Sequence, residues 1–178
     1  MPIDTKRVMV DIESLGTEPG AAVLSIGAVV FDTDVDTDAT FYDEISLQSN
    51  EDAGLTFDAD TIEWWLGQNE EAKTVLTGGD DLADVLEAFA AWFDDVDHDE
   101  VWANSPTFDC RLLGAAYDAI DADTPWEYYD ERDFRTLGTL PDFVTVDDDG
   151  VAHDALDDAI GQARSAAATL EKMNGDGD

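Results

Sequence analysis

Positive charge is scarce in this chain: of 178 residues only eight are Lys or Arg, against 44 Asp or Glu, for a formal charge of −36. A basic surface that grips nucleic-acid phosphates is thereby excluded, as is adhesion to an anionic membrane. Cysteine is nearly absent. Cys110 stands alone, so no internal disulfide can form, and a reducing cytoplasm is the expected compartment. Long apolar runs are missing as well: Ala21 to Phe31 is the longest, contains Ser25 and Gly27, and is too short to span a bilayer. The opening residues, MPIDTKRV, lack the apolar stretch of a secretory leader. With no repeat and no long linker, one compact domain over 1–172 is expected, followed by a frayed acidic tail at 173–178.

What is present can still build a core, since 44% of the residues are hydrophobic and 10% aromatic. The acidity therefore belongs to a surface and not to a disordered tail. It comprises 32 Asp and 12 Glu scattered along the whole chain. Such a surface fits a high-salt-adapted organism or its virus, because the Debye length falls to ~3 Å at 1 M salt and mutual repulsion is then screened. The rival reading of the charge is a non-catalytic protein that imitates DNA.

Lys6 to Glu13, KRVMVDIE, reads as a buried strand that ends in two carboxylates; Ala22 to Phe31 and Thr40 to Ile45 read as two more, joined by a solvated turn through Asp32, Asp34, Asp36 and Asp38. An amphipathic helix follows from Asp58, with Ile62, Trp65 and Leu66 on its apolar side, and a second carries Leu82, Val85, Leu86, Phe89, Ala90 and Phe93. Val101 to Ala103 is a strand end. Ser105 and Pro106 suggest an N-cap and first helical position for a helix to about Ala119, and Asp133 to Leu140 holds a short helix. Asp147 to Gly150 is a turn, and a last helix runs from Asp154 to about Lys172, burying Leu156, Ala159, Ile160, Ala163, Ala167 and Leu170. Strands and helices in this order describe an α/β sandwich around a mixed sheet.

Chance alone would supply about two Asp-x-Glu pairs in so acidic a chain, so the pair Asp11 and Glu13 is weak as a string. Its context is stronger. Residues two apart on a strand share a face, and two carboxylates at the end of a buried strand repel one another and resist desolvation. A hard cation removes both problems; Mg²⁺ or Mn²⁺ suits an all-oxygen set, and no Cys-rich or His-rich group offers a zinc site. Asp109, in the first turn of its helix, favours the positive end of the dipole and is a further candidate. In His153-Asp154-Ala155-Leu156-Asp157-Asp158, Asp154 caps the helix and His153 lies just outside it, while Asp157 and Asp158 flank the apolar stripe equally and periodicity does not choose between them.

Taken together, DIESLG at Asp11 to Gly16, TIEWWLGQ at Thr61 to Gln68, WANSPTFD at Trp102 to Asp109, PWEYYDERDFRTL at Pro125 to Leu137 and HDALDDAIGQA at His153 to Ala163 make the chain resemble the DEDDh 3′–5′ exonucleases of the ribonuclease H-like superfamily. Within them it is similar to the phage-type exodeoxyribonucleases and related bacterial exoribonucleases. The resemblance implies a five-stranded mixed sheet flanked by helices. It implies that Asp11, Glu13, Asp109 and Asp158 hold two divalent cations, with His153 as general base; the His-x4-Asp spacing of the family points to Asp158. Hydrolysis of the 3′-terminal phosphodiester of single-stranded or frayed nucleic acid, with a slight lean to DNA, would release nucleoside 5′-monophosphates. Ser14 and Leu15 are expected to meet the terminal nucleotide. Of the tandem tryptophans, Trp65 is expected in the core and Trp64 at a base. Arg132 and Arg135 are open to a phosphate contact or to an internal salt bridge.

Overall fold

The run Arg7–Ser14 forms β1, the middle strand of a five-stranded sheet, and its burial on both faces explains why it reads as apolar until the carboxylates begin. The structure is a computed structural model that describes residues 5–146, 150–151 and 153–175. β2 (Val23–Phe31) and β3 (Val35–Glu44) join β1 on one side as antiparallel neighbours. β4 (Glu100–Ala103) and β5 (Glu131–Asp133) are added in parallel on the other, giving the order β3-β2-β1-β4-β5. The five-stranded mixed sheet matches the resemblance. β5 itself, three polar residues long, has no apolar pattern to betray it.

β3 departs from its expected start. The chain turns already at Asp32–Asp34, where the Asp32 carboxylate accepts the Asp34 backbone N–H at 3.1 Å, and Val35 to Asp38 are strand. A register shift between Val29 and Val30 accommodates the longer pairing. Acidic side chains on this outer strand discourage pairing with another sheet edge.

Helices cover both faces: α1 (Leu47–Asp52), α2 (Ala59–Leu66), a 3-10 helix (Ala72–Leu76), α3 (Leu82–Asp95), α4 (Asp109–Ala119), α5 (Phe134–Leu137) and α6 (Ala155–Gly175). Asp58 caps α2 and Asp81 caps α3 by accepting backbone N–H groups. On one face Val8, Val10 and Ile12 pack with Leu86, Phe89 and Phe93 of α3 and Leu113 of α4. On the other, Met9, Val29, Phe31 and Trp102 meet Ala159, Ala163, Ala166, Ala167 and Leu170 of α6. Leu156 and Ile160 sit half-buried at the margin of that stripe. The alternation along β1 therefore aims Met9, Asp11 and Glu13 at α6.

Three sequence expectations change here. The helix foreseen from Ser105 begins at Asp109. Phe108 and Asp109 N–H groups both turn onto the Ser105 carbonyl, and the Ser105 hydroxyl pairs with Thr107 and does not cap. Leu66 is 65% exposed and Ile62 36% exposed, neither of them core, because α2 turns inward only the side that carries Trp65, and Leu66 lies about 100° round the helix from it. α6 continues past Lys172 to Gly175; positions 176–178, like Asp147–Asp149 of the expected turn, lie outside the described residues. Among the described residues no helix is long and apolar enough to cross a membrane.

At the end of the sheet where β1 and β4 begin, Arg7 is buried and its Nε lies 3.3 Å from Glu100 Oε2. Arg132 Nε reaches the other oxygen of the same carboxylate, Oε1, at 3.0 Å, and Trp102 Nε1 donates to Oε2.

Candidate active site

The C-terminal end of β1 is where four carboxylates and an imidazole converge. Asp11 and Glu13 leave β1 toward α6, whose first turn is held by Asp154: its carboxylate accepts the N–H groups of Leu156 and Asp157 at 3.1 and 3.0 Å. This cap seats Asp158 opposite Glu13. Ligand atoms of Glu13, His153 and Asp158 all lie within 4.8 Å of one another. Asp157, the alternative that periodicity left open, is turned away and accepts the Val151 N–H at 2.7 Å. Asp109, buried at the start of α4, approaches from the β4 side and accepts the Ser105 N–H at 3.1 Å.

Crowding shows in the protonation of the group. Burial, then the Asp109 charge, raises the Asp11 carboxyl well above its ordinary range, against a hydrogen bond from Gln162. Glu13 is pushed up to about 8, first by burial and then by Asp158, Asp154 and Asp109. Asp109 is raised to about 6 by burial, opposed by backbone hydrogen bonds and by the charge of Arg135. Carboxylates that resist ionisation first because they are buried, and for Asp11 and Glu13 also because they face other carboxylates, suit a cation: a divalent ion would supply the missing positive charge. The oxygen-rich donor set fits Mg²⁺ or Mn²⁺.

His153 occupies the left-handed region at φ 67°, unusual for a residue with a side chain. Its ring stands edge-on to Trp64, with centroids 4.8 Å apart. Trp64 is 44% exposed, whereas Trp65 is 1% exposed and its Nε1 donates to the Ser14 carbonyl at 2.9 Å. Both tryptophans line a cavity of about 470 Å³ with Glu13, Ser14, Thr61 and Phe108. Phe108 also borders a second cavity, of about 270 Å³, that holds Asp11, Asn104, Asp109 and Arg135.

Other expected contacts are distributed differently. The Ser14 hydroxyl is spent on the Gly16 carbonyl at 2.8 Å, though the residue lines the larger cavity. Leu15 is buried and faces a separate, wholly apolar cavity with Leu47, Phe57 and Leu76, because it lies past the end of β1, beyond the register shift between Glu13 and Ser14, and no longer follows the strand alternation that would put it on the side of Glu13. Arg132 is in the internal ion pair with Glu100, at the start of β4 and not at its end, so only Arg135 of the two faces the carboxylates.

Two residues that no motif drew out also shape the site. Gln162 Nε2 donates to Asp11 Oδ1 at 2.7 Å. Its spacing of four from Asp158 was the available signal. Gly27, opposite Asp11 on β2, lets the first turn of α6 lie against the strand. That requirement comes from the packing of a distant segment, and a sequence pattern carries no trace of it.

Comparison with known proteins places this geometry. Exodeoxyribonuclease of Enterobacteria phage T4 is 25% identical over 120 residues, covering 59% of this chain; the match spans about half, 52%, of the phage protein. The nuclease domain of 3′hExo, described as a DEDDh family member bound to rAMP, superposes with a TM-score of 0.64 at 14% identity over 93% of this chain and 92% of that one. Exonuclease I of E. coli, in a zinc-bound complex with single-stranded DNA, superposes with a TM-score of 0.69 at 13% identity, over 96% of this chain and 42% of that one. The fold is thus the ribonuclease H-like fold of the DEDDh exonucleases. Residues 6–170 match the model of the Rv2179c-like 3′-5′ exoribonuclease domain, and the chain belongs to that family.

Proposed function

We propose that this protein is a cation-dependent 3′–5′ exonuclease that removes nucleoside 5′-monophosphates from the 3′ end of single-stranded or frayed nucleic acid. The observation that carries the reading is the convergence of Asp11, Glu13, Asp109 and Asp158 with His153 at one end of β1. Two divalent cations held by these carboxylates would supply an activated water and neutralise charge at the leaving 3′ oxygen.

The protein's own residues do the rest. His153, beside Glu13 and Asp158, takes the proton of the attacking water. Trp64 offers an exposed ring in the larger cavity, where a terminal base can stack; such stacking contributes about 1–3 kcal/mol per base. Arg135 brings one of the few positive charges to the smaller cavity, beside Asp109, where a phosphate would lie. Because the surface is so acidic, binding runs through cations, stacking and few phosphate contacts, in salt that screens the remaining charge.

The phage relative favours DNA as substrate, while the family description names RNA. Oligonucleotides of each kind, labelled at the 3′ end and incubated with Mn²⁺ in molar KCl, test the reading. Release of label from at least one of them, abolished by Asp11→Ala, supports it. No cleavage of either across varied salt and cation would leave a non-catalytic nucleic-acid-binding protein or DNA mimic on the same fold.

A further inference from the structure

Asp158 and Gln162 leave the same side of α6 one turn apart, about 6 Å along the axis. Asp11 and Glu13 leave the same side of β1 two residues apart, about 6.6 Å along the strand. The two spacings match, and the pairs meet: Asp158 stands by Glu13, and Gln162 Nε2 donates to Asp11 Oδ1 at 2.7 Å. With Asp11 ionised, as a bound cation would hold it, the amide nitrogen is the end that faces it, since a flipped amide would set its oxygen against the carboxylate. Among the described residues no other hydrogen-bond donor reaches the Asp11 carboxylate.

The other end of the amide is unusual. Gln162 Oε1 is buried and accepts from no donor among the described residues. A buried acceptor without a donor is rare in native interiors, and here it belongs to a side chain already joined to the carboxylate cluster.

We propose that Gln162 is a positioning residue of the cation site: its Nε2 holds the Asp11 carboxylate in one orientation for the incoming cation. This rests on the reading of the site as a cation centre. A neutral amide suits the task, because Lys or Arg here would compensate the Asp11 charge and compete with the cation, while another carboxylate would add to the repulsion. Partners that orient a ligating carboxylate act on cation affinity and not on the nucleic acid.

Two variants of the full chain test the proposal: Gln162→Met, which keeps the bulk and removes both polar atoms, and Gln162→Asn, which keeps both on an arm too short to reach Asp11. Titration calorimetry with Mn²⁺ in molar KCl is expected to show affinity lowered about 10–100-fold in each. Their cation-free melting temperatures should stay at or above the wild-type value, KM for the oligonucleotide should be unchanged, and raising Mn²⁺ should restore the cleavage rate. Mn²⁺ affinity within about twofold of wild type, or a rate loss that Mn²⁺ does not restore, would overturn the role given to Gln162. A wild-type protein that neither binds Mn²⁺ nor cleaves would instead overturn the functional reading on which it rests.

Discussion

Gly27 lies against the backbone of Ala155: a Cβ added to the glycine would stand 2.2 Å from the Ala155 carbonyl carbon and the same distance from the Leu156 nitrogen. Gly27 is also the register partner of Asp11. One strand position thus sets how closely the first turn of α6, with Asp158, approaches β1. In Gly27→Ala the helix start must move outward, since backbone and not a flexible side-chain end receives the methyl group. Overpacking of this kind costs typically about 1–3 kcal/mol, and a backbone clash belongs at the upper end. We expect Gly27→Ala to lower stability by about 3 kcal/mol in denaturant unfolding and to weaken Mn²⁺ binding in the molecules that remain folded. Unaltered cation affinity would show that α6 does not depend on this contact for its seat.

The readable part of the molecule was that governed by local periodicity and caps. Asp58 and Asp154 announced two helix starts, and the two-residue step of Asp11 and Glu13 announced a shared face, because caps and strand alternation act within a few residues. Tertiary competition hid the rest. Ser105 carried the right residue type for a cap, yet Asp109 takes its N–H and Thr107 its hydroxyl. Arg132 and Arg135 are three apart in sequence, but β5 hands the first to Glu100 at the start of β4 while α5 presents the second to the carboxylates. The placement of Asp158 beside Glu13 follows from the Asp154 cap and from Asp157 being drawn to Val151.

The tandem tryptophans should separate stability from function. Trp65 is enclosed and bonded to the Ser14 carbonyl, so Trp65→Ala leaves a cavity and an unsatisfied carbonyl; a loss of about 3–5 kcal/mol is expected. Trp64→Ala removes a half-exposed ring that touches His153 and lines the larger cavity. Its melting temperature should change little, while KM for the oligonucleotide rises and turnover falls. Equal destabilisation by the two substitutions would contradict this division of labour.

Glu100 joins the buried Arg7 to Arg132 far from the carboxylate site. Removing one member of a buried ion pair leaves the other charge uncompensated, at a cost of about 3–5 kcal/mol. Glu100→Gln is therefore expected to lower the denaturation midpoint sharply, yet below that midpoint cation affinity and cleavage per folded molecule should match wild type. A fall in Mn²⁺ affinity without a fall in stability would place Glu100 in the cation site instead.

The crowded carboxylates also give the cation-free protein a pH signature. Glu13 is raised to about 8 and Asp109 to about 6, and Asp11 moves in the same direction. In the unfolded chain such groups titrate near ~4. Between about pH 4 and pH 8 the folded state therefore binds more protons than the unfolded state, and stability declines as pH rises. The favourable contribution is complete below about pH 4 and lost once pH passes the folded values. Glu13→Gln removes the group that titrates highest, so its stability curve should be flatter between pH 6 and about 8 and should lie above wild type at the alkaline end. Saturating Mn²⁺ should abolish the decline in the wild-type protein, because the cation holds the same carboxylates ionised and binds more tightly as protons leave. Denaturant unfolding in molar KCl with chelator, repeated with Mn²⁺, measures both arms. A cation-free curve that rises toward alkaline pH, or a Glu13→Gln curve parallel to wild type, would mean that the cluster is not held protonated by its burial and mutual repulsion.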